Sequence, residues 1–210
     1  DDQYANQLLI TNIRDNPDKW TIFDFDRLFE EGDGAPVTLS EAGLLGDVIE
    51  HYSETLGVYN RVNQQIIDKA QKDGEGPVKY EFGTSYPFGN EFDLITNSGL
   101  FALGDSTVKG IFEGDSRKEE EIFLVINGII TYNFIDRYTD RFSKVESLME
   151  EEGITREEAT ERLGDSVDEG TPYDILDHWQ TKFNATVRIA KIGSYTIYFF
   201  SYLYFYKILN

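Results

Sequence analysis

The sequence contains no cysteine and only two histidines, His51 and His178. Without thiols the chain can form no disulfide, no thiolate metal site and no cysteine nucleophile. Two histidines also disfavour a histidine-rich metal site. Basic residues are few as well, since 19 Lys and Arg stand against 39 Asp and Glu and give a formal net charge of −20. This balance argues against nucleic acids and anionic lipid headgroups as partners.

The apolar content is sufficient for a folded core. Of the 210 residues, 40% are hydrophobic, and 13 Tyr and 15 Phe are among them. A chain of this length is expected to form one domain, here residues 1–210. It starts at Asp1 without an initiator Met or an apolar leader, so we expect a mature product or an excised domain. The charge is typical of a soluble protein that is exported, tolerates salt or meets a cationic partner.

The order of local patterns predicts an α+β fold. Residues 1–76 form a helical part, in which Thr38 and Glu41 have the spacing of a capping box. Residues 77–140 form a β part, an antiparallel curved sheet or half-barrel. Its strongest signal is Asn127-Gly128 between two apolar β runs, which predicts a two-residue hairpin turn. The short apolar run from Leu100 to Leu103 also suits a strand.

The remaining residues predict an acidic helical excursion and then strands. Residues 141–183 are the acidic helical part, with a second capping box at Thr155 and Glu158. Thr171-Pro172 predicts the start of a helix from Tyr173 to Phe183. Residues 184–210 are the C-terminal strands. The uncharged stretch between Lys191 and Lys207 suits a long strand or a partner-binding or membrane-contacting edge. As a helix it spans about 22 Å, short of a bilayer core of about 30 Å.

Candidate catalytic residues gather at the end of the predicted hairpin. No Walker loop, dinucleotide fingerprint, zincin motif or nucleophile elbow is present. If the strand continues, Asp136, Tyr138 and Asp140 share one face, with the two carboxylates about 13 Å apart. Arg137 and Arg141 add two guanidinium groups. The alternative interpretation is a charged strand end whose Asp and Arg side chains pair in water.

These residues resemble a family of bacterial toxins. The segment Phe101-Ala102-Leu103-Gly104, the Asn-Gly hairpin and the motif Asp136-x-Tyr138-x-Asp140 are similar to the C-terminal modules of colicin M and related bacteriocins and polymorphic toxins. The resemblance covers about residues 100–140. It implies a half-barrel of strands and a metal-assisted phosphodiesterase that cuts the lipid-linked peptidoglycan precursor in the periplasm of the target cell.

The resemblance also implies roles for single residues. Asp136 and Asp140 would hold Mg²⁺, Tyr138 is the motif's tyrosine, and Arg141 or Arg137 would stabilise phosphate charge. The family's second acid directly follows the tyrosine, whereas Asp140 lies one position later, and a one-residue slip changes the strand face. The family's His-Arg pair is missing too. His178, on the predicted helix, is either a stand-in general acid or base or a surface histidine.

We therefore expect an antibacterial toxin or effector domain that is secreted or delivered to the target-cell periplasm. Its partners would be a cell-wall precursor or membrane component and a cognate immunity protein, and its reaction a Mg²⁺-dependent hydrolysis. Two alternatives stay open. One is a non-enzymatic effector that perturbs a membrane, and the other is an acidic binding protein, such as an immunity protein or a DNA mimic.

Overall fold

Helices and strands are interspersed along the chain in the structure, a computed structural model that describes residues 14, 18–54, 58–89, 91–120, 122–139, 148–149, 152–163, 170–192, 195–200 and 208–209. The helices are α1 (Ile22–Glu31), α2 (Leu45–Glu54), α3 (Val58–Asp73), α4 (Glu91–Thr96), α5 (Ser98–Leu103) and α6 (Arg156–Leu163). The strands are β1 (Val37–Thr38), β2 (Gly76–Pro87), β3 (Asp105–Glu119), β4 (Phe123–Tyr138), β5 (Tyr173–Ile192), β6 (Tyr195–Phe200) and β7 (Ile208–Leu209). The predicted α+β class is confirmed.

The strands form a mixed sheet in the order β1-β5-β4-β3-β2, and β6 and β7 also pair with β5. β1 runs parallel to β5, with Val37 opposite Ile175. β6 and β7 run antiparallel to β5. In the described part of the chain β2 is therefore the last strand of the order, and β5 has the most neighbours.

The chain divides into two compact units, and β4 and β5 contribute residues to both. The first unit comprises Asp1–Val48, Pro87–Ser106 and Ile135–Leu176. The second unit comprises Ile49–Tyr86, Thr107–Phe134 and Asp177–Asn210. Each unit thus draws on three separate stretches of sequence. None of the helices in the described stretches combines the length and apolar character that crossing a bilayer requires.

Helix α1 supplies much of the core of the first unit. Its capping box joins Thr21 and Asp24, whose carboxylate accepts hydrogen bonds from the Thr21 backbone N–H at 2.7 Å and hydroxyl at 2.8 Å. This cap fixes the first turn, because it satisfies backbone N–H groups that have no partner within the helix. The buried face is Ile22, Phe25, Leu28 and Phe29. The capping box predicted at Thr155 and Glu158 is confirmed at the start of α6. Thr38 and Glu41 form the expected hydrogen bonds, but the helix start predicted there is wrong, because residues 39–43 form turns and α2 begins at Leu45.

The predicted hairpin turn at Asn127-Gly128 is wrong, because β4 continues through both residues. A type I′ turn needs positive φ at its two central residues, and neither position has it. Gly128 is required instead by close packing. A Cβ atom there would lie 2.4 Å from the Phe112 ring and 2.5 Å from the Glu113 carbonyl oxygen. The chain turns earlier, at Glu120, which adopts φ 53° between β3 and β4.

The predicted helix from Tyr173 to Phe183 is also wrong, since these residues begin the 20-residue strand β5. Tyr173, Ile175, Trp179 and Phe183 are buried and fall on alternate positions, which is the period of a strand. Pro172 therefore precedes a strand and not a helix.

Three further expectations have different outcomes. The run from Leu100 to Leu103 is helical, because Asn97 caps α5 by accepting a hydrogen bond from Leu100 N. The C-terminal strands are confirmed for β6 and β7. Residues 201–207, and residues 141–147 of the acidic helical part, lie outside the described residues.

Replacement of Gly128 by alanine is expected to destabilise the second unit. The new Cβ would overlap Phe112 and the Glu113 carbonyl, and overpacking of this kind costs about 1–3 kcal/mol. Urea denaturation followed by circular dichroism measures the loss. The matched control is Gly46→Ala in α2, where a Cβ meets nothing within 4 Å, and where alanine should stabilise the helix by up to about 1 kcal/mol. Equal stabilities for the two variants would contradict this account of Gly128.

Candidate functional site

Asp136 and Tyr138 lie two residues apart near the end of β4, so they share one face of the strand. Tyr138 is 1% exposed and Asp136 is half-buried. Arg137, between them, points to the opposite face and is exposed. Asp136 and Tyr138 therefore share a face and lie in the first unit, whereas Asp140, the third residue predicted on that face, lies outside the described residues.

The ring of Tyr138 is the centre of an aromatic sandwich. It stacks on Phe25 of α1 at a centroid distance of 5.7 Å and on Tyr173 of β5 at 5.3 Å. Phe29 contacts it edge-on at 6.3 Å. Stacked and edge-on pairs at these distances add about 0.5–1.5 kcal/mol each beyond the burial of area. The sandwich joins α1 to the end of β4 and the start of β5.

The hydroxyl groups of the two tyrosines are bonded to α1. Tyr138 donates its hydroxyl hydrogen to the carboxylate of Asp26. Tyr173 donates to the backbone carbonyl of Phe25 at 3.0 Å. A hydrogen bond to an ionised acceptor contributes about 1.5–3 kcal/mol. Tyr138 therefore holds the end of β4 in place, because its ring is buried and its hydroxyl is bonded to Asp26.

Two carboxylates act on the buried phenol of Tyr173. Burial is the main cause that raises its pKa above the ordinary value of 10.0. The negative charges of Asp26 and Asp136 raise that pKa further, and the Arg14 guanidinium opposes them. The phenol is therefore neutral at physiological pH and serves as a hydrogen-bond donor. Since both carboxylates affect the same group, Asp26 and Asp136 belong to one electrostatic cluster.

The two cations near this cluster have partners of their own. Arg14 pairs with Glu41 at 3.0 Å and donates to the Ala35 carbonyl at 3.2 Å. Arg137 pairs with Asp174 of β5 at 3.0 Å, and its backbone N–H donates to the Asp136 carboxylate at 2.8 Å. The Arg137 and Asp174 side chains are 63% and 46% exposed, so this ion pair contributes at most about 1 kcal/mol. The Arg137 side chain can therefore leave Asp174 and contact a ligand at a small cost in free energy.

His178 lies on β5, in the second unit, and not on the predicted helix. Its side chain is 75% exposed, and its Nδ1 is 4.0 Å from the Asp177 carboxylate. The structure does not show it near Asp136, so its role as a general acid or base stays a prediction. His51 packs edge-on against Tyr86, with centroids 5.9 Å apart, as a structural histidine would.

The proposed Mg²⁺ ligands are described only in part. Asp136 presents a half-buried carboxylate, but Asp140 and Arg141 lie outside the described residues. Within the described ranges no group of three or more His, Cys, Asp or Glu side chains is close enough to hold a metal ion. The described residues alone thus provide one of the two predicted ligands, and the metal site remains a proposal.

No local sequence pattern indicates two members of the cluster, Asp26 and Tyr173. Asp26 is 112 residues from Tyr138, and Tyr173 is 148 residues from its partner Phe25. No spacing rule joins residues so far apart. The available local signal was the aromatic pair Phe25 and Phe29, four residues apart on α1, which marks a face that needs aromatic partners.

Comparisons with known proteins give distant structural matches. No protein-family model and no curated protein sequence matches the chain. Among solved structures, the truncated bacteriocin syringacin M from Pseudomonas syringae pv. tomato DC3000 is 17% identical over 79% of this chain and 58% of that chain, with a TM-score of 0.40. PaeM, a colicin M-like bacteriocin produced by Pseudomonas aeruginosa, is 15% identical over 80% and 51%, with a TM-score of 0.43. Pectocin M2 is 16% identical over 88% and 64%, with a TM-score of 0.38. The chain therefore spans about half to two thirds of the length of these proteins.

The hydrogen bond between Tyr138 and Asp26 can be measured with a double-mutant cycle. We expect Tyr138→Phe and Asp26→Ala to be coupled by about 1–3 kcal/mol in the free energy of unfolding, because each change removes the same charged hydrogen bond. Urea denaturation of the single and double variants gives this energy. The control cycle pairs Tyr138→Phe with Asp33→Ala, whose carboxylate accepts from Ala35 N. Additivity in both cycles, within about 0.5 kcal/mol, would show that the Tyr138 bond contributes nothing.

Proposed function

We propose that the chain is the toxin module of an antibacterial protein and hydrolyses a phosphodiester in the cell envelope of its target. The observation that supports this proposal is the cluster at the end of β4. There the half-buried carboxylates of Asp26 and Asp136 act on one buried phenol, that of Tyr173, beside the exchangeable Arg137. Asp136 and Tyr138 of this cluster are also the residues of the motif that resembles colicin M-type modules.

The chemistry fits the groups present. Hydrolysis of a phosphodiester forms a bond between a water oxygen and phosphorus and breaks the bond to the leaving alcohol oxygen. The water loses a proton, which a carboxylate such as that of Asp136 can accept, and the leaving alcohol oxygen takes up a proton from solvent water. Arg137 can leave Asp174 to offset the charge that develops on the phosphoryl oxygens. Tyr138 and Asp26 keep the strand end that bears both residues in place.

A Mg²⁺ ion is the cofactor that we propose for this reaction, with Asp136 and Asp140 as its protein ligands. Carboxylate oxygens suit this ion, which also retains several waters. When bound, Mg²⁺ polarises the phosphoryl group and lowers the pKa of bound water. Arg141 and His178 are proposed as a further phosphate contact and as a proton donor or acceptor.

The proposed substrate is the lipid-linked cell-wall precursor, which is reached from the periplasm. An immunity protein is the expected partner in the producing cell, since a periplasmic toxin endangers its own producer. Delivery outside the cytoplasm is therefore part of the proposal, and the compartment of action can be tested directly.

Expression in a Gram-negative bacterium, with and without a periplasmic export signal, tests the toxin and its compartment together. We expect the exported chain to reduce viable counts, and Asp136→Ala to abolish the effect, because the proposed site loses its described carboxylate ligand. Asp68→Ala, an exposed carboxylate on α3, is the matched control and should kill like the unaltered chain. Killing that survives Asp136→Ala would favour a membrane-perturbing effector. No killing in either compartment would favour an acidic binding protein.

Metal dependence tests the proposed cofactor separately. We expect EDTA to suppress hydrolysis of the isolated lipid-linked precursor by the purified chain, and excess Mg²⁺ to restore it, because the proposed reaction depends on a divalent cation. Product release is measured by chromatography. Hydrolysis that is unchanged in EDTA would remove Mg²⁺ from the proposal but would leave the hydrolase intact.

A further inference from the structure

Three large apolar side chains project into solvent from the helices of the first unit. Phe23 of α1 is 75% exposed, and Phe92 and Ile95 of α4 are 69% and 85% exposed. The other large hydrophobic side chains exposed in the described part of the chain lie on or beside strands and reach at most 42%. Single exposed apolar residues are common on protein surfaces, whereas a group of them marks a contact site.

The three side chains belong to one region of the surface, because the starts of α1 and α5 meet. The backbone N–H of Ile22, at the start of α1, donates to the Ser98 hydroxyl at 3.3 Å, and α5 packs against both α1 and α4. Phe23 directly follows Ile22, and Ile95 lies three residues before Ser98. Phe92 and Ile95 are three residues apart on α4 and so share a face of that helix. We call Phe23, Phe92 and Ile95 the apolar surface.

The apolar surface adjoins the candidate site through α1. Phe23 and Asp26 are three residues apart and lie on the same side of the helix. Asp26 accepts the hydroxyl hydrogen of Tyr138. Arg27, four residues after Phe23, is exposed on that side too and has no ion pair with any described residue. Glu30 follows near the end of the helix, about 10 Å from Phe23 along the axis.

Charge selects among the occupants of the apolar surface. A second copy would bring together two chains of net charge −20, which repel each other. An anionic bilayer would repel the chain in the same way. A bilayer of neutral phospholipids would not. Its groups also match the surface in order, because hydrocarbon can surround the apolar side chains while a lipid phosphate accepts hydrogen bonds from Arg27.

We propose that Phe23, Phe92 and Ile95 dock the first unit on a neutral phospholipid bilayer. The choice of a bilayer rests on the proposed function, since a lipid-linked precursor presents its phosphodiester at a membrane surface. In the docked state the three apolar side chains enter the interface, Arg27 contacts a lipid phosphate, and the side of α1 that bears Asp26 faces the membrane. Docking thus brings the end of β4 towards the plane in which the substrate lies.

Co-sedimentation of the full chain with phosphatidylcholine vesicles tests the docking without any cell-wall precursor. We expect half-maximal binding at about 1 mM lipid, because three side chains bury less apolar surface than a myristoyl chain, whose association constant is about 10⁴ M⁻¹. Phe23→Ala, Phe92→Ala and Ile95→Ala should each weaken the binding about fivefold, since each removes apolar area. Circular dichroism checks the fold, and Ile95→Ala alters the most exposed of the three side chains.

The matched control is Ile122→Ala, which removes an exposed apolar side chain from the second unit and should leave vesicle binding unchanged. No binding at about 10 mM lipid overturns the proposal, and so does binding that all three apolar-surface variants leave unchanged. Tighter binding to vesicles that contain equal parts of phosphatidylglycerol also overturns it. Sedimentation equilibrium without lipid is the further check, because a dimer that Phe92→Ala dissociates would show that a second copy covers the surface.

Hydrolysis of the lipid-linked precursor in detergent micelles separates this proposal from the proposed function. Phe92→Ala and Ile95→Ala should hydrolyse the precursor in micelles like the unaltered chain, and the precursor in phosphatidylcholine vesicles about fivefold more slowly. Vesicle binding without hydrolysis in micelles would support the docking and contradict the hydrolase. Hydrolysis in micelles without vesicle binding would overturn the docking alone.

Discussion

The stacking of Tyr138 between Phe25 and Tyr173 is the contact on which the first unit depends. It joins helix α1 to the ends of two strands that are far from it in sequence. The hydroxyl bonds to Asp26 and to the Phe25 carbonyl orient both phenols. Burial of the rings stabilises the unit, and the hydrogen bonds fix the positions of the two tyrosines relative to α1. Asp136 owes its half-buried position to this arrangement, because it lies one strand repeat before Tyr138.

Local sequence signals predicted some elements correctly and others wrongly, and the two outcomes have different physical causes. The hydrogen bonds of Thr38 with Glu41 and of Thr155 with Glu158 were predictable because they join residues three apart, although only the second pair lies at the start of a helix. The strand at Asn127-Gly128 was not predictable. Glycine is required at position 128 because the Phe112 ring packs against it, and the sequence alone does not distinguish such a glycine from one in a turn. Pro172 was similarly ambiguous, since proline precedes strands as well as helices. The alternation that follows Tyr173 was the more reliable signal.

Only the part of the candidate site that lies on β4 was predictable from the sequence. Asp136 and Tyr138 could be found because they lie on one strand in a recognisable motif. Asp26 and Tyr173 could not, because their proximity is created by the fold and leaves no trace in the spacing of residues. Sequence patterns thus indicate which residues share an element, whereas the sites need residues from several elements.

The separation of the contacting residues has a consequence for the order in which the chain can fold. Tyr173 and its partner Phe25 are 148 residues apart, and contacts of such high sequence separation slow folding. Because synthesis begins at the N-terminus, Phe25 and Phe29 are exposed long before Tyr138 and Tyr173 are added to the chain. The aromatic face of α1 therefore stays uncovered during synthesis until these two partners are present. In this protein the first unit can therefore be completed only after residue 173 has been synthesised.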